Sequence, residues 1–345
     1  MKGLLTLVVL ALALLLVAGA CAAQRTPRAG PFEPSKPVAF VITTDPGGGS
    51  DVYARTWTAV IEELGLSPQP FVPLNKAGGA GAIALSFLWE QRGDPHFLTP
   101  TLNSVITTPM VQVIPVRFPS EDLTPLVLMA IDPFLLWSNP NTFANWDEFQ
   151  AACQQRSLTV GGTGPRQEDT IQFAILEQAA GCQPMDYVPF PGGGTVAKNV
   201  AAQDIDASVN QPSEGLPHYP DRMVPLVAFA SERLEVFPDV PTHYEVGLSG
   251  EFADLLSLES GLHQHRGLLG PPGLSEEALE WYEDVFRQVF DSQRWQDFMA
   301  NKAMVPTFKG PAEYKEFLRD YQRGHLRVMR DVLGWELRDD FTSPP

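Results

Sequence analysis

Pro37-Val38-Ala39-Phe40-Val41-Ile42-Thr43 runs through Asp45-Pro46 into Gly47-Gly48-Gly49-Ser50-Asp51, and from there into a stretch from Val52 to Leu64. The first segment reads as a short strand and the last as a helix. A glycine-rich turn between the two lets the backbone approach a ligand closely. The first amides of the helix have no intrahelical partner and sit at the positive end of its dipole. Such a place takes an anion, phosphate or carboxylate.

Outward from this unit, short apolar runs alternate with helical patterns. Strands are expected at 70–75, 97–102, 126–131 and 134–138, and helices at 81–91 and, weakly, 104–113. A second set follows, with helices at 146–155 and 168–180 and strands at 158–161, 187–190, 205–209 and 224–230. Strands alternating with helices point to an α/β architecture with largely parallel sheets. The C-terminal part differs. Pro271-Pro272-Gly273 stops one element and Ser275-Glu276-Glu277 starts a helix, with Leu279, Tyr282, Phe286 and Val289 at helical spacing. Further helices are expected over 293–302 and from Pro311, the last with Tyr314, Phe317, Leu318, Tyr321 and Val328 on one face, a core-packing stripe.

The chain opens with Lys2, an apolar run from Leu4 to Val17, and Ala18-Gly19-Ala20-Cys21. Residues 1–20 read as a secretory signal. Cys directly after the small residues fits a lipoprotein signal, with Cys21 lipidated as the new N-terminus. An apolar run this short argues against a spanning anchor. Residues 21–36 are rich in Pro, Gly, Arg and small residues and read as a flexible tether.

Lys plus Arg number 24 and Asp plus Glu 41, a net charge of −17. Without Lys2 the balance is 23 − 41 = −18. So acidic a chain argues against nucleic acid, which needs basic patches. It leaves room for an anionic ligand, because a pocket's field is set locally. Beyond Cys21, Cys153 and Cys182 either form a disulfide, as exported chains do, or stay as buried thiols.

Further glycine-rich turns follow expected strands: Asn75-Lys76-Ala77-Gly78-Gly79-Ala80-Gly81, Gly161-Gly162-Thr163-Gly164-Pro165-Arg166-Gln167, and Pro191-Gly192-Gly193-Gly194-Thr195. Open α/β sheets bind ligands at the ends of strands. Gly79-x-Gly81-x-x-Ala84 matches a dinucleotide fingerprint only loosely: its strand is interrupted by Pro73, and the acidic residue needed to end a second strand is lacking. No phosphate-loop lysine motif and no Gly-x-Ser-x-Gly elbow is present. Ser50 reads as a helix cap without an identifiable base. Asp51 is a first-turn acid that either orders the loop or accepts from a ligand, and it forms an i, i+4 pair with Arg55. Arg166 either clamps a carboxylate in two-pronged fashion or is an exposed loop residue. His263-x-His265 would share a face on a strand, but nothing nearby completes a metal site.

These pieces together resemble the substrate-binding family of tripartite tricarboxylate transporters, also called the Bug family. Pro46 to Arg55, Asn75 to Gly81, Gly93-Asp94-Pro95, Pro189-Phe190 into Gly192-Gly193-Gly194, Val240-Pro241-Thr242 and Gly270-Pro271-Pro272-Gly273 fit in order across nearly all of the chain after the leader. The resemblance implies a type II periplasmic-binding-protein fold, with two α/β domains around a central cleft joined by two crossover segments. Placed on this chain, domain 1 takes 37–138, domain 2 takes 139–256, and 257–345 returns to domain 1. It implies a carboxylate held by Gly47, Gly48, Gly49, Ser50 and Asp51 on one side and Thr163, Gly164, Pro165, Arg166 and Gln167 on the other. Asn103, Ser104 and Gly193 would line the same cleft. The expected protein is a monomer without cofactor, metal or catalytic residue. It would be lipid-anchored in the periplasm and would pass a di- or tricarboxylate to large and small membrane subunits. The alternatives are an exported enzyme built on Ser50 or a metal at His263 and His265, and a ligand sensor for a signalling partner. The chain departs from the family pattern at Arg166 and Glu168, and at Leu262-His263-Gln264-His265, where only Arg266-Gly267 fits.

Overall fold

Val38–Ile42 forms strand β1, all five residues buried, and Gly49–Leu64 forms helix α1, which ends at Gly65 in the left-handed conformation. The computed structural model describes residues 32–164, 166–339 and 341. The chain continues through β2 (Phe71–Asn75), α2 (Ala82–Glu90), β3 (Phe97–Pro100), α3 (Ser104–Val111), β4 (Thr124–Asp132) and β5 (Leu135–Ser138). Next come α4 (Trp146–Gln155), β6 (Thr159–Thr163), α5 (Glu168–Ala180), β7 (Asp186–Phe190), α6 (Gly193–Ala202), β8 (Ala207–Asn210), β9 (Val224–Ala228) and α7 (Glu251–Leu256). The chain closes with β10 (Gln264–Gly270), α8 (Glu276–Asp291), α9 (Gln293–Asn301), β11 (Val305–Lys309) and α10 (Pro311–Leu326).

Two sheets result, ordered β11-β4-β10-β3-β1-β2 and β7-β6-β8-β5-β9. The chain crosses between them twice, from β4 to β5 and from α7 to β10. This is the expected two-lobed α/β arrangement. The first crossing comes earlier than the expected boundary at 138. Leu135–Ser138 pairs antiparallel with β8 and β9 in the second sheet. Pro133 separates β4 from β5, and a residue without an N–H is a natural place for a strand to leave its ladder.

The sheets are mixed rather than largely parallel. β1 is parallel to β2 and β3, but β10 runs antiparallel to β3 and β4, and β5 to β8 and β9. The strands next to the crossings enter from the opposite lobe, which reverses their sense. Of the expected tether, Pro34 is buried, the Ser35 amide donates to His96 Nε2, and Lys36 pairs with Asp94 at 2.9 Å. Residues 34–36 are thus held to the folded body, unlike the flexible tether expected of them. The signal at 1–20, Cys21 and the rest of the tether through residue 31 lie outside the described residues.

Burial fixes the first sheet against α1, α8 and α9. Phe40 on β1, Trp57 on α1, Phe286 on α8 and Trp295 on α9 are all fully buried, with Trp57 5.7 Å from Phe286 and 5.6 Å from Trp295, ring centre to ring centre. Each such side chain contributes about 1.5–3 kcal/mol through burial. His263 pins the crossings together: its Nδ1 accepts from Phe134 N at 3.0 Å and its Nε2 donates to Leu256 O at 2.8 Å. Cys153 and Cys182 are joined by a disulfide, which ties α4 to the turn after α5.

Candidate functional site

Between the lobes lies a cleft of about 790 Å³, lined by both. Its first wall is the Gly47–Gly49 turn at the start of α1, with Thr43, Tyr53, Gly78 and Arg266. Its second wall holds Thr163, Glu168, Asp169, the Pro191–Gly194 turn and Glu214.

The first wall is built by one carboxylate. Asp51 accepts from Gly47 N (2.8 Å), Arg55 Nε (2.8 Å) and Asn75 Nδ2 (3.0 Å). Asn75 also donates to Thr44 O at 2.9 Å. The two motifs that appear together in the sequence are thus physically tied: the Asn75–Gly81 turn braces the Gly47–Asp51 turn through Asp51. Gly47 sits at φ 86°, a conformation that costs other residues strain. The second wall repeats the device, with Asp169 accepting from both the backbone N–H and the hydroxyl of Thr163.

Arg55, aided by Gly47 and Asn75, holds Asp51 down at about 2. A folded value below the ordinary one means that the ionised form stabilises the fold. That stability is present above about pH 4 and is lost as the pH falls toward 2. Arg55 is half exposed, so solvent screening trims the effect to roughly 1–2 kcal/mol. Asp51→Asn is expected to lower unfolding stability by that amount at pH 7 and by only a small fraction of it at pH 2. Urea denaturation at both values checks it, and equal deficits at both would contradict it.

Arg266, from β10, is the buried cation of the cleft, which Lys198 and Lys302 also line. It is 4% exposed. Its Nη2 and Nε donate to Asp132 Oδ2 at 2.6 and 3.3 Å, and its guanidinium lies 4.4 Å from the Tyr53 ring centre. Tyr53 OH also donates to Asp132 Oδ2, at 3.3 Å. Burial alone would lower the guanidinium; Tyr53, Asp132 and Glu214 more than offset it. Among the described residues its Nη1 is buried without a partner. It lies 3.8 Å from where a side chain on Gly49 would begin.

The second wall is acidic. Glu168 and Asp169 are 6% and 5% exposed, and burial pushes both, and Glu214 with them, up to about 7. Glu214 accepts from Asn210 Nδ2 at 2.7 Å. It lies so close over Gly193 that a β-carbon there would be 1.8 Å from Glu214 Oε1.

Of the expected site residues, Gly47, Gly48, Gly49, Thr163 and Gly193 line the cleft, while Ser50, Asp51, Asn103, Ser104, Gly164, Arg166 and Gln167 do not. Pro165 lies outside the described residues. Ser50 is buried with its hydroxyl 3.3 Å from Thr43 Oγ1, which gives it no base. Asn103 is fully buried and its Oδ1 accepts from His265 N at 3.1 Å. His265 packs among Tyr314, Phe317 and Tyr321, and burial pulls it down to about 3. With His263 occupied at the crossings, the two histidines serve separate sites. Arg166 takes φ 57° and is exposed, and its Nη1 donates to Glu336 O at 3.2 Å on the outer side of the turn. Of the two readings of Arg166, this geometry is that of an exposed loop residue.

A two-lobed α/β fold around an interlobe cleft is the architecture of a solute-binding protein. Residues 58–332 match the family described as "Tripartite tricarboxylate transporter family receptor". The chain belongs to that family, which is one of substrate-binding receptors. It is 22% identical over 309 residues to Protein BugT of Bordetella pertussis, covering 87% of this chain and 90% of that one. MatC from Rhodopseudomonas palustris, solved with bound malate, superposes with a TM-score of 0.71 at 22% identity over 86% of this chain and 99% of that one. A second R. palustris protein, solved with adipate, gives 0.76 at 18% identity over 87% and 98%.

Proposed function

We propose that the protein is an extracytoplasmic solute-binding receptor. It captures a small organic carboxylate in the interlobe cleft and delivers it to the membrane subunits of a tripartite transporter. The reading places it in the periplasm, anchored by lipid on Cys21 and acting as a monomer, without catalysing a reaction. The observation that carries it is the unpartnered, buried Nη1 of Arg266 beside the Gly47–Gly49 turn. A carboxylate there would gain charge-assisted hydrogen bonds and the positive end of a 16-residue helix. The malate and adipate held by two structural relatives, both dicarboxylates, support a carboxylate as the bound group. Closure of the lobes on the ligand would present the loaded state to the permease.

A thermal-shift screen of di- and tricarboxylates, aromatic acids and amino acids tests this. A ligand at 100 times its dissociation constant adds about 2.7 kcal/mol, which for a chain of this size raises the midpoint by roughly 4 °C. No stabilisation by any organic acid at millimolar concentration would overturn the reading.

A further inference from the structure

The two walls of the cleft carry opposite polarity. The first offers a helix start, the unpartnered Nη1 of Arg266, and Lys302, set against Asp45. The second offers Glu168, Asp169 and Glu214 against Lys198. Among the described residues none of those three carboxyls has a Lys or Arg within ion-pair distance. Glu168 accepts from its own backbone N–H and, weakly, from the Thr107 hydroxyl at 3.4 Å. Glu214 Oε2 is held by Asn210 Nδ2 and by Gln211 N at the start of its own helical turn, which leaves Oε1 over Gly193 as the oxygen turned elsewhere. The fields of Glu214 and Glu168 reach Arg266 across the cleft. Asp169 is spent on ordering the Thr163 turn. That leaves Glu168 and Glu214 as the groups the second wall turns toward a ligand.

We infer that the ligand is an aminocarboxylate: its carboxylate rests on the Gly47–Gly49 turn and Arg266, and its ammonium, or an equivalent N–H donor, rests between Glu168 and Glu214. The inference rests on the carboxylate reading above and goes beyond it by fixing the second functional group. Above about pH 7, where Glu168 and Glu214 ionise, a dicarboxylate of the same span would bring its other carboxylate against two like charges in a partly desolvated wall, which repel it strongly. An ammonium there fills the missing ion-pair position. It also draws both buried acids from their proton-retaining state into the ionised form.

Matched ligand pairs decide the matter. Succinate and β-alanine, glutarate and γ-aminobutyrate, and adipate and δ-aminovalerate share a spacer and differ in one terminal group. Calorimetric titration of the wild-type protein at pH 8 is expected to show at least one amino acid binding about tenfold or more tighter than its dicarboxylate partner. In the Glu168→Gln/Glu214→Gln variant that preference collapses, because the amino acid loses affinity while the dicarboxylate gains it. Thermal unfolding of the variant confirms that it folds, and the wild-type comparison stands without it. Dicarboxylates binding as well as or better than their amino partners at pH 8 would overturn the inference while leaving the carboxylate reading intact. Binding of putrescine, which has no carboxylate, as tightly as the amino acids would overturn both. No binding across the series, with a hit elsewhere in the acid screen that carries no N–H donor, would overturn the inference alone.

Discussion

Arg266→Ala is expected to remove ligand binding and to destabilise the fold at the same time. Asp132 lies fully buried and its Oδ2 accepts from Nη2 and Nε of Arg266. Deleting one partner of a buried pair leaves an uncompensated charge and costs about 3–5 kcal/mol. Loss of the contact with the Tyr53 ring adds to this. Binding falls separately, because a hydrogen bond to a charged group contributes about 1.5–3 kcal/mol, or roughly 10- to 150-fold. The double variant Arg266→Met/Asp132→Asn separates the two effects. It removes the orphaned charge, so stability is expected to recover in large part while affinity stays lost. Denaturant unfolding and calorimetric titration read the two quantities. A double variant that binds like the wild type would remove Arg266 from the site.

Loss of the Cys153–Cys182 bridge carries the next largest effect. The bond closes a loop with a sequence separation of 29 residues, and that loop contains β6, the 163–167 turn and α5. Chain-entropy arguments put the stabilisation from a loop of this size at about 3–4 kcal/mol. A hydrogen bond from Gln183 N to Cys153 O (2.7 Å) follows the same route, so the local geometry survives reduction while the unfolded chain gains freedom. Cys153→Ala/Cys182→Ala, or the reduced wild type, is expected to melt roughly 5 °C lower. Equal melting temperatures for oxidised and reduced protein would contradict the bridge as a stabilising element.

The sequence displays this architecture unevenly, for physical reasons. Helices α4 and α5 are legible to the residue. Asn145 caps the first and accepts from Glu148 N, Gly181 in the left-handed conformation ends the second, and both signals are local. β11 is not legible: Val305–Lys309 contains Pro306 and is only partly buried, and its pairing with β4 makes it a strand. The first wall of the cleft is legible because a glycine turn between strand and helix does its work within one segment. The remainder of the site depends on contacts across the chain. Arg266 meets the Gly47–Gly49 turn from more than two hundred positions away, and Glu214 meets Gly193 only through the packing of the second lobe. Arg166 was the misleading signal. It stands within a glycine turn in sequence, but at φ 57° its side chain runs outward to the Glu336 carbonyl.

The central claim is that a ligand carboxylate sits on the Gly47–Gly49 turn beside Arg266. Calorimetric titration compares the tightest acid from the screen with the analogue in which only that carboxylate is converted to a primary amide. The amide is expected to bind at least about tenfold more weakly, since it loses charge-assisted hydrogen bonds. Equal affinity of acid and amide would contradict it.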